Sequence, residues 1–141
     1  MYTVKTIALF LLIASANAAF AADKPFTGVF GGTGRACSGG AYIRTKTIEW
    51  NSTYSICKPS RYEVLEKNLT EKDHKRIVYR LKDRSKQCRS EVIEVEQVSR
   101  YGWNVSGYPS LEVFQKRDLP DWGNSPLPER QILSCPMVGP D

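Results

Sequence analysis

The side chains with chemical potential are few in this 141-residue chain. It has a single histidine, His74, inside Glu71-Lys72-Asp73-His74-Lys75-Arg76. A histidine acting as a base needs an orienting partner and a nucleophile within reach. A charged turn between two strands offers neither, so His74 reads as a solvated turn residue. Glu94 and Glu96 share one face of a candidate strand, but glycoside chemistry needs two carboxyls across a cleft, one with a raised pKa. Glutamates interleaved with valines on an outer face meet neither condition. Gly31-Gly32-Thr33-Gly34-Arg35 has the glycines of a phosphate loop without its Gly-Lys-Ser/Thr ending, and a strand follows where a helix is required. These glycines read as a turn or bulge.

The four cysteines, Cys37, Cys57, Cys88 and Cys135, carry the strongest signal. There is no Cys-x-x-Cys for redox work, no Cys-x-x-Cys-His for haem, and none of the close pairing typical of zinc ligands. An even number of cysteines behind an export leader reads as two disulfides in an oxidising compartment. The leader is residues 1–22: Lys5, the apolar run Thr6 to Ser15, then small-x-small steps ending near Ala21 or Ala22. That run is too short for a membrane span, which needs about 20 apolar residues. Its style is bacterial, which points to the periplasm or the outside, without stable membrane insertion.

The formal net charge is +5, and the leader holds only Lys5 of it. Acids and bases alternate along most of the chain. A nucleic-acid binder concentrates its charge on one face or element, so no nucleic-acid role is expected, and no cofactor or metal.

These residues need a scaffold, and the scaffold reads as strands. Period-2 or β-branched patterns occur at 26–30, 41–50, 61–67, 76–82, 91–98, 102–107 and 110–116, the last two bent at Gly107-Tyr108-Pro109. The expected fold is all-β: a small antiparallel meander over 23–117 closing into a barrel, with two disulfides. In the hairpin of 76–82 with 91–98, Arg80 and Lys82 are expected to face Glu94 and Glu96 across the strands, a structural use of charge. Residues 118–141 begin with Asp118 to Pro128, too rich in proline for a central strand or a helix interior. They read as an irregular arm tied back by Cys135.

The meander also predicts the pairing. Cys57 and Cys88 fall in loops at one end of an up-and-down sheet. Cys37, preceding the strand at 41–50, falls at the other end, within reach of the arm. The expected bridges are Cys57–Cys88 and Cys37–Cys135.

For binding, Tyr101, Tyr108 and Trp122 stand beside glycine or proline in loop-like sequence, as contact aromatics do. Trp103 with Val105 reads as inward packing.

Ser38-Gly39-Gly40-Ala41-Tyr42, followed by Trp50, resembles the Ser-Gly-x-x-Tyr…Trp signature of the periplasmic and membrane-bound inhibitors of c-type lysozyme. The resemblance spans residues 38–50. It implies a small exported β-barrel with disulfides, in which Ser38 and Tyr42 lie on a surface that enters the lysozyme cleft. Gly28-Val29-Phe30, the meander and the returning arm are similar to lipocalin-like barrels, some of which hold one small ligand. The expectation is an exported, non-catalytic protein of inhibitor or immunity type that contacts another protein. The alternative is a lipocalin-like carrier of a small apolar ligand.

Overall fold

The computed structural model describes residues 24–141, so the leader expected over 1–22 lies outside the described residues. Eight strands follow: β1 (Gly28–Gly32), β2 (Gly40–Ile43), β3 (Thr47–Asn51), β4 (Ile56–Asn68), β5 (Arg76–Leu81), β6 (Val92–Gln97), β7 (Gly102–Tyr108) and β8 (Leu133–Val138). Each pairs antiparallel with its neighbour in sequence, and β8 returns to β1, closing the barrel. A six-residue helix, α1 (Leu111–Lys116), and a 3-10 turn at Trp122–Asn124 lie between β7 and β8.

Alternation along the strands builds the interior. Phe30, Trp50, Tyr79, Ile93, Val95, Trp103 and Val105 point inward and belong to one buried cluster. Phe30 meets Trp103 edge to face with ring centroids 5.1 Å apart, the arrangement that aromatic quadrupoles favour. A second, smaller cluster lies on the outside of the wall, where Val113 and Phe114 of α1 cover Val78, Val92 and Tyr108.

The structure departs from the sequence reading at four places. First, the strand expected over 41–50 is two strands joined by Arg44-Thr45-Lys46. The buried residues are Ala41 and Ile43, then Ile48 and Trp50. That set changes from odd to even positions, which one unbroken strand cannot do because its side chains alternate strictly. The Arg44 amide donates to the Thr47 carbonyl at 2.8 Å, and the Tyr62 hydroxyl donates to the Arg44 and Thr45 carbonyls at 2.9 and 3.0 Å.

Second, residues 110–116 form α1 and not a strand. Ser110 is its N-cap and accepts the Val113 amide at 3.1 Å, while Glu91 accepts the Leu111 amide at 2.7 Å. Those bonds satisfy amides that a helix start otherwise leaves unpaired. Adjacent Val113 and Phe114 are both buried, a helical burial pattern.

Third, the arm over 118–141 is irregular only as far as Ile132. Its end is β8, with Cys135 and Met137 buried between exposed Ser134, Pro136 and Val138. Pro136 is tolerated because β1 pairs with β8 only at Gly31↔Val138 and Gly32↔Met137, leaving Pro136 beyond the end of β1.

Fourth, the β5–β6 hairpin has another register. Arg80 lies opposite Val92, and Arg76 is the residue opposite Glu96. Arg76 gathers the acids: its Nε donates to Glu94 at 2.7 Å, it pairs with Glu66, and Glu96 stands 3.9 Å away. Arg80 pairs instead with Glu91 at 3.3 Å.

Both disulfides are those expected, Cys37–Cys135 and Cys57–Cys88. The reasoning that placed Cys37 at the opposite end is overturned. Splitting 41–50 into a hairpin reverses the chain once more, so the loops carrying Cys37 and Cys88 and the start of β4 carrying Cys57 share one end. Thr53 donates to the Arg35 carbonyl, and the Ile56 amide donates to the Gln87 carbonyl at 3.0 Å.

Candidate functional site

The end of the barrel that holds both disulfides is also the end where the irregular chain collects. Four connections meet there: 33–39, 52–55, 82–91 and the long passage 109–132. The opposite end has the connections 44–46, 69–75 and 98–101, with the segments 24–27 and 139–141 beside them. Glycines allow the tight fit. A Cβ on Gly32 would stand 1.9 Å from the Cys37 carbonyl oxygen, and one on Gly107 would meet Ser90 Oγ at 2.1 Å and Trp50 at 2.8 Å. The 33–39 loop therefore folds back onto β1, and β7 passes directly under Ser90.

Serine hydroxyls pin these loops. Ser52 Oγ donates to the Ser55 carbonyl at 3.0 Å and accepts the Ser55 amide at 3.2 Å. Ser55 Oγ accepts the Arg89 amide at 2.9 Å. Ser85 Oγ donates to the Ile56 carbonyl at 2.9 Å and accepts the Lys58 amide at 3.3 Å. Ser60 Oγ accepts the Asp83 amide at 2.9 Å. Together with Cys57–Cys88, these bonds fix the start of β4 to the 82–91 loop. Ser52, Ser55 and Ser60 are all buried, as hydroxyls can be when their hydrogen-bonding groups are paired.

A cleft of about 340 Å³ opens between this pinned region and the long connection. Its lining includes the apolar Ile132, Leu133, Pro109 and Pro128 together with Tyr54, Arg89 and Gln131. Beyond Tyr54 lies a second hollow of about 280 Å³, bordered by Tyr54, Lys86, Gln87 and Arg89. Tyr54 is 65% exposed.

Charge on the 33–39 and 82–91 loops and the start of β4 is mostly positive. Among the described residues, no carboxylate pairs with Arg35, Lys58, Lys86 or Arg89. The acids of the 82–91 loop are engaged, while the long passage adds Asp121 and Glu129, for which no ion pair is found among the described residues. Asp83 receives two hydrogen bonds from Arg61, from Nε at 2.7 Å and from Nη2 at 3.0 Å, and Arg61 holds its carboxyl below the usual carboxylate range. Glu91 is taken by Arg80 and the start of α1.

The residues singled out from the sequence are dispersed. Ser38 belongs to this end and is exposed, with its Oγ 3.4 Å from Thr53 Oγ1. Tyr42 is on the barrel wall, half-buried. Its ring leans back over Gly40, and the Arg44 guanidinium stands 5.3 Å from its centroid. Tyr101 is exposed at the other end, in the β6–β7 turn beside Arg100. Tyr108 is no exposed loop aromatic: it ends β7, is 6% exposed, and donates to Glu94 at 3.0 Å. Trp122 is half-buried against the outer cluster under α1. Tyr54, Lys86 and Arg89 escaped the sequence reading. Their one signal is position, a tyrosine in the polar run Asn51-Ser52-Thr53-Tyr54-Ser55 and two cations flanking Cys88.

In comparison with known proteins, no family model matches the chain, and it matches neither a curated protein nor a solved structure.

Proposed function

We propose that this protein is an exported, non-catalytic binding domain of inhibitor or immunity type, and that the loop end described above is its contact surface. One observation carries the reading: this end is held by two disulfides and a set of serine hydroxyl bonds while it presents Tyr54 and four cations that no carboxylate pairs with among the described residues. Rigid loops lose little conformational freedom on association, and tyrosine and arginine are the residues around which protein contacts concentrate. Two disulfides fit an oxidising destination, in line with the leader over 1–22. A lipocalin-like carrier needs room inside the barrel. Here Phe30, Trp50, Tyr79 and Trp103 occupy the interior, each at most 1% exposed, which weighs against that alternative.

A photocrosslinking residue at Thr53, and separately at Lys72 in the β4–β5 turn, tests the contact in cells that secrete the protein. Protein-sized adducts are expected from Thr53 alone. Adducts from Lys72 alone, or from neither position, would refute the reading. The narrower version, implied by the likeness of Ser38–Tyr42 and Trp50 to lysozyme inhibitors, has its own test. Unchanged lysis of a cell-wall suspension by c-type lysozyme, with the protein in micromolar excess, discards it.

A further inference from the structure

The two hollows beside Tyr54 differ in chemistry. The larger is bordered mainly by Ile132, Leu133, Pro109 and Pro128, with Gln131 among them; the smaller by Lys86, Gln87 and Arg89, with Thr53 and Ile56 beside them. Tyr54 and Arg89 border both, so the two halves form one groove across a tyrosine. We propose that this groove takes an extended acidic peptide segment of a partner protein, with a bulky apolar side chain in the larger half and an aspartate or glutamate beside it in the smaller. The inference rests on the loop end being a contact surface and adds the chemistry of what it contacts.

The apolar half gives an anchor side chain a place to leave water, which favours binding in proportion to the apolar surface removed. The cationic half supplies two side chains with no carboxylate competing for them among the described residues. Arg35 and Lys58, exposed on the same end, extend the positive field beyond the groove and favour approach of an acidic partner. A basic segment meets unpaired like charge at the rim and is rejected. The apolar half also separates a peptide from a sulfated or uronic polysaccharide, which has the charge but no side chain to place beside Ile132 and Leu133. The groove is preformed: the Ser55 hydroxyl holds the Arg89 backbone, and Cys57–Cys88 holds the loop that carries Lys86.

The experiment pans a display library of random dodecapeptides on the full mature protein and, in parallel, on the double variant Lys86→Glu, Arg89→Glu and on Tyr54→Ala. Both substituted faces are exposed, and an unchanged near-ultraviolet circular dichroism spectrum with no free thiol certifies each fold. Peptides enriched on the wild type are expected to carry aspartate or glutamate next to a bulky apolar residue. A synthetic copy of the most enriched peptide should bind the charge-reversed variant at least tenfold more weakly, and the wild type severalfold more weakly as salt rises from 0.1 to 0.3 M, as screening requires. Enriched peptides that depend on Tyr54 but lack acids would overturn the proposed chemistry while leaving the contact surface standing. Peptides that bind wild type and variants alike, or no enrichment at all, would overturn the groove; the crosslinks from Thr53 then decide separately whether the loop end is a contact surface. Displacement of the acidic peptide by an oligoglutamate without apolar residues, or by a heparin oligosaccharide, at equal concentration would show that charge alone is read and would also overturn it.

Discussion

Tyr79 and Tyr108 bury the same hydroxyl in different company. The Tyr79 hydroxyl has no hydrogen-bond partner among the described residues, whereas that of Tyr108 donates to Glu94. Burial pushes both phenols well above their ordinary range, reinforced at Tyr79 by Tyr62 and at Tyr108 by the Glu94 charge. An acid whose folded pKa exceeds its unfolded value of about 10 contributes stability that is complete below about pH 10 and declines above it. Alkaline titration is therefore expected to unfold the protein as these two phenolates form, so absorbance near 295 nm and loss of near-ultraviolet dichroism should share a late transition. Tyr79→Phe removes an unsatisfied group and is expected to leave stability unchanged or raise it by about 1 kcal/mol in urea unfolding, and Tyr108→Phe to lower it by about 1–2 kcal/mol. Arg76 is the third residue to test. It is 27% exposed beside Glu94 at 13%, so Arg76→Ala strands a mostly buried carboxylate, at a cost of about 2 kcal/mol. Arg76→Lys should restore only part of that, because an ammonium lacks the planar fork that serves Glu66 and Glu94 together.

At the scale of elements, α1 gives a clean test. Ser110→Ala removes its cap and is expected to cost about 1 kcal/mol, with faster amide exchange at Val113. Phe114→Ala empties the outer cluster beside Tyr108 and should cost about 3 kcal/mol. This element also shows where sequence reading succeeds and fails. The strands at 76–82 and 91–98 were legible because Ile77, Tyr79, Leu81, Ile93 and Val95 recur at every second position, with charged residues between most of them; Val78, which breaks the charged face, is the residue that α1 covers. Residues 110–116 misled because a helix of six residues is too short for a period of 3.6 to stand out from alternation. Residues 41–50 misled because β-branched content says strand without saying where the inward parity changes. The last strand was hidden by the prolines before it and by Pro136 within it. Of the candidate site, two bridges were legible from the cysteine count; their pairing agrees with the structure, but it rested on a placement of Cys37 that the hairpin within 41–50 reverses. Tyr54 and Arg89 were not legible, since their importance comes from the absence of nearby carboxylates, which is a property of three-dimensional neighbours.

For the whole molecule the two bridges are unequal. Cys37–Cys135 spans 98 residues and Cys57–Cys88 spans 31. Chain-entropy arguments assign about 4.7 kcal/mol to a closed loop near 100 residues and about 3 kcal/mol or somewhat more to the shorter one. The double variant Cys37→Ser, Cys135→Ser is accordingly expected to lose more stability than Cys57→Ser, Cys88→Ser in urea unfolding. Its amides in β1 and β8 should exchange before those of β4 and β5, since β1 and β8 are paired at only two positions. The narrow seam between β1 and β8 makes β8 a keystone. Synthesis runs from β1 toward β8, so the ring cannot close until almost the whole polypeptide has emerged. Until then two raw sheet edges lie open to other chains, and Cys37 has only the wrong sulfurs for company. A chain ending before residue 133 would remain in that condition permanently, seven strands wide and with an odd thiol, and aggregation or clearance would be its fate.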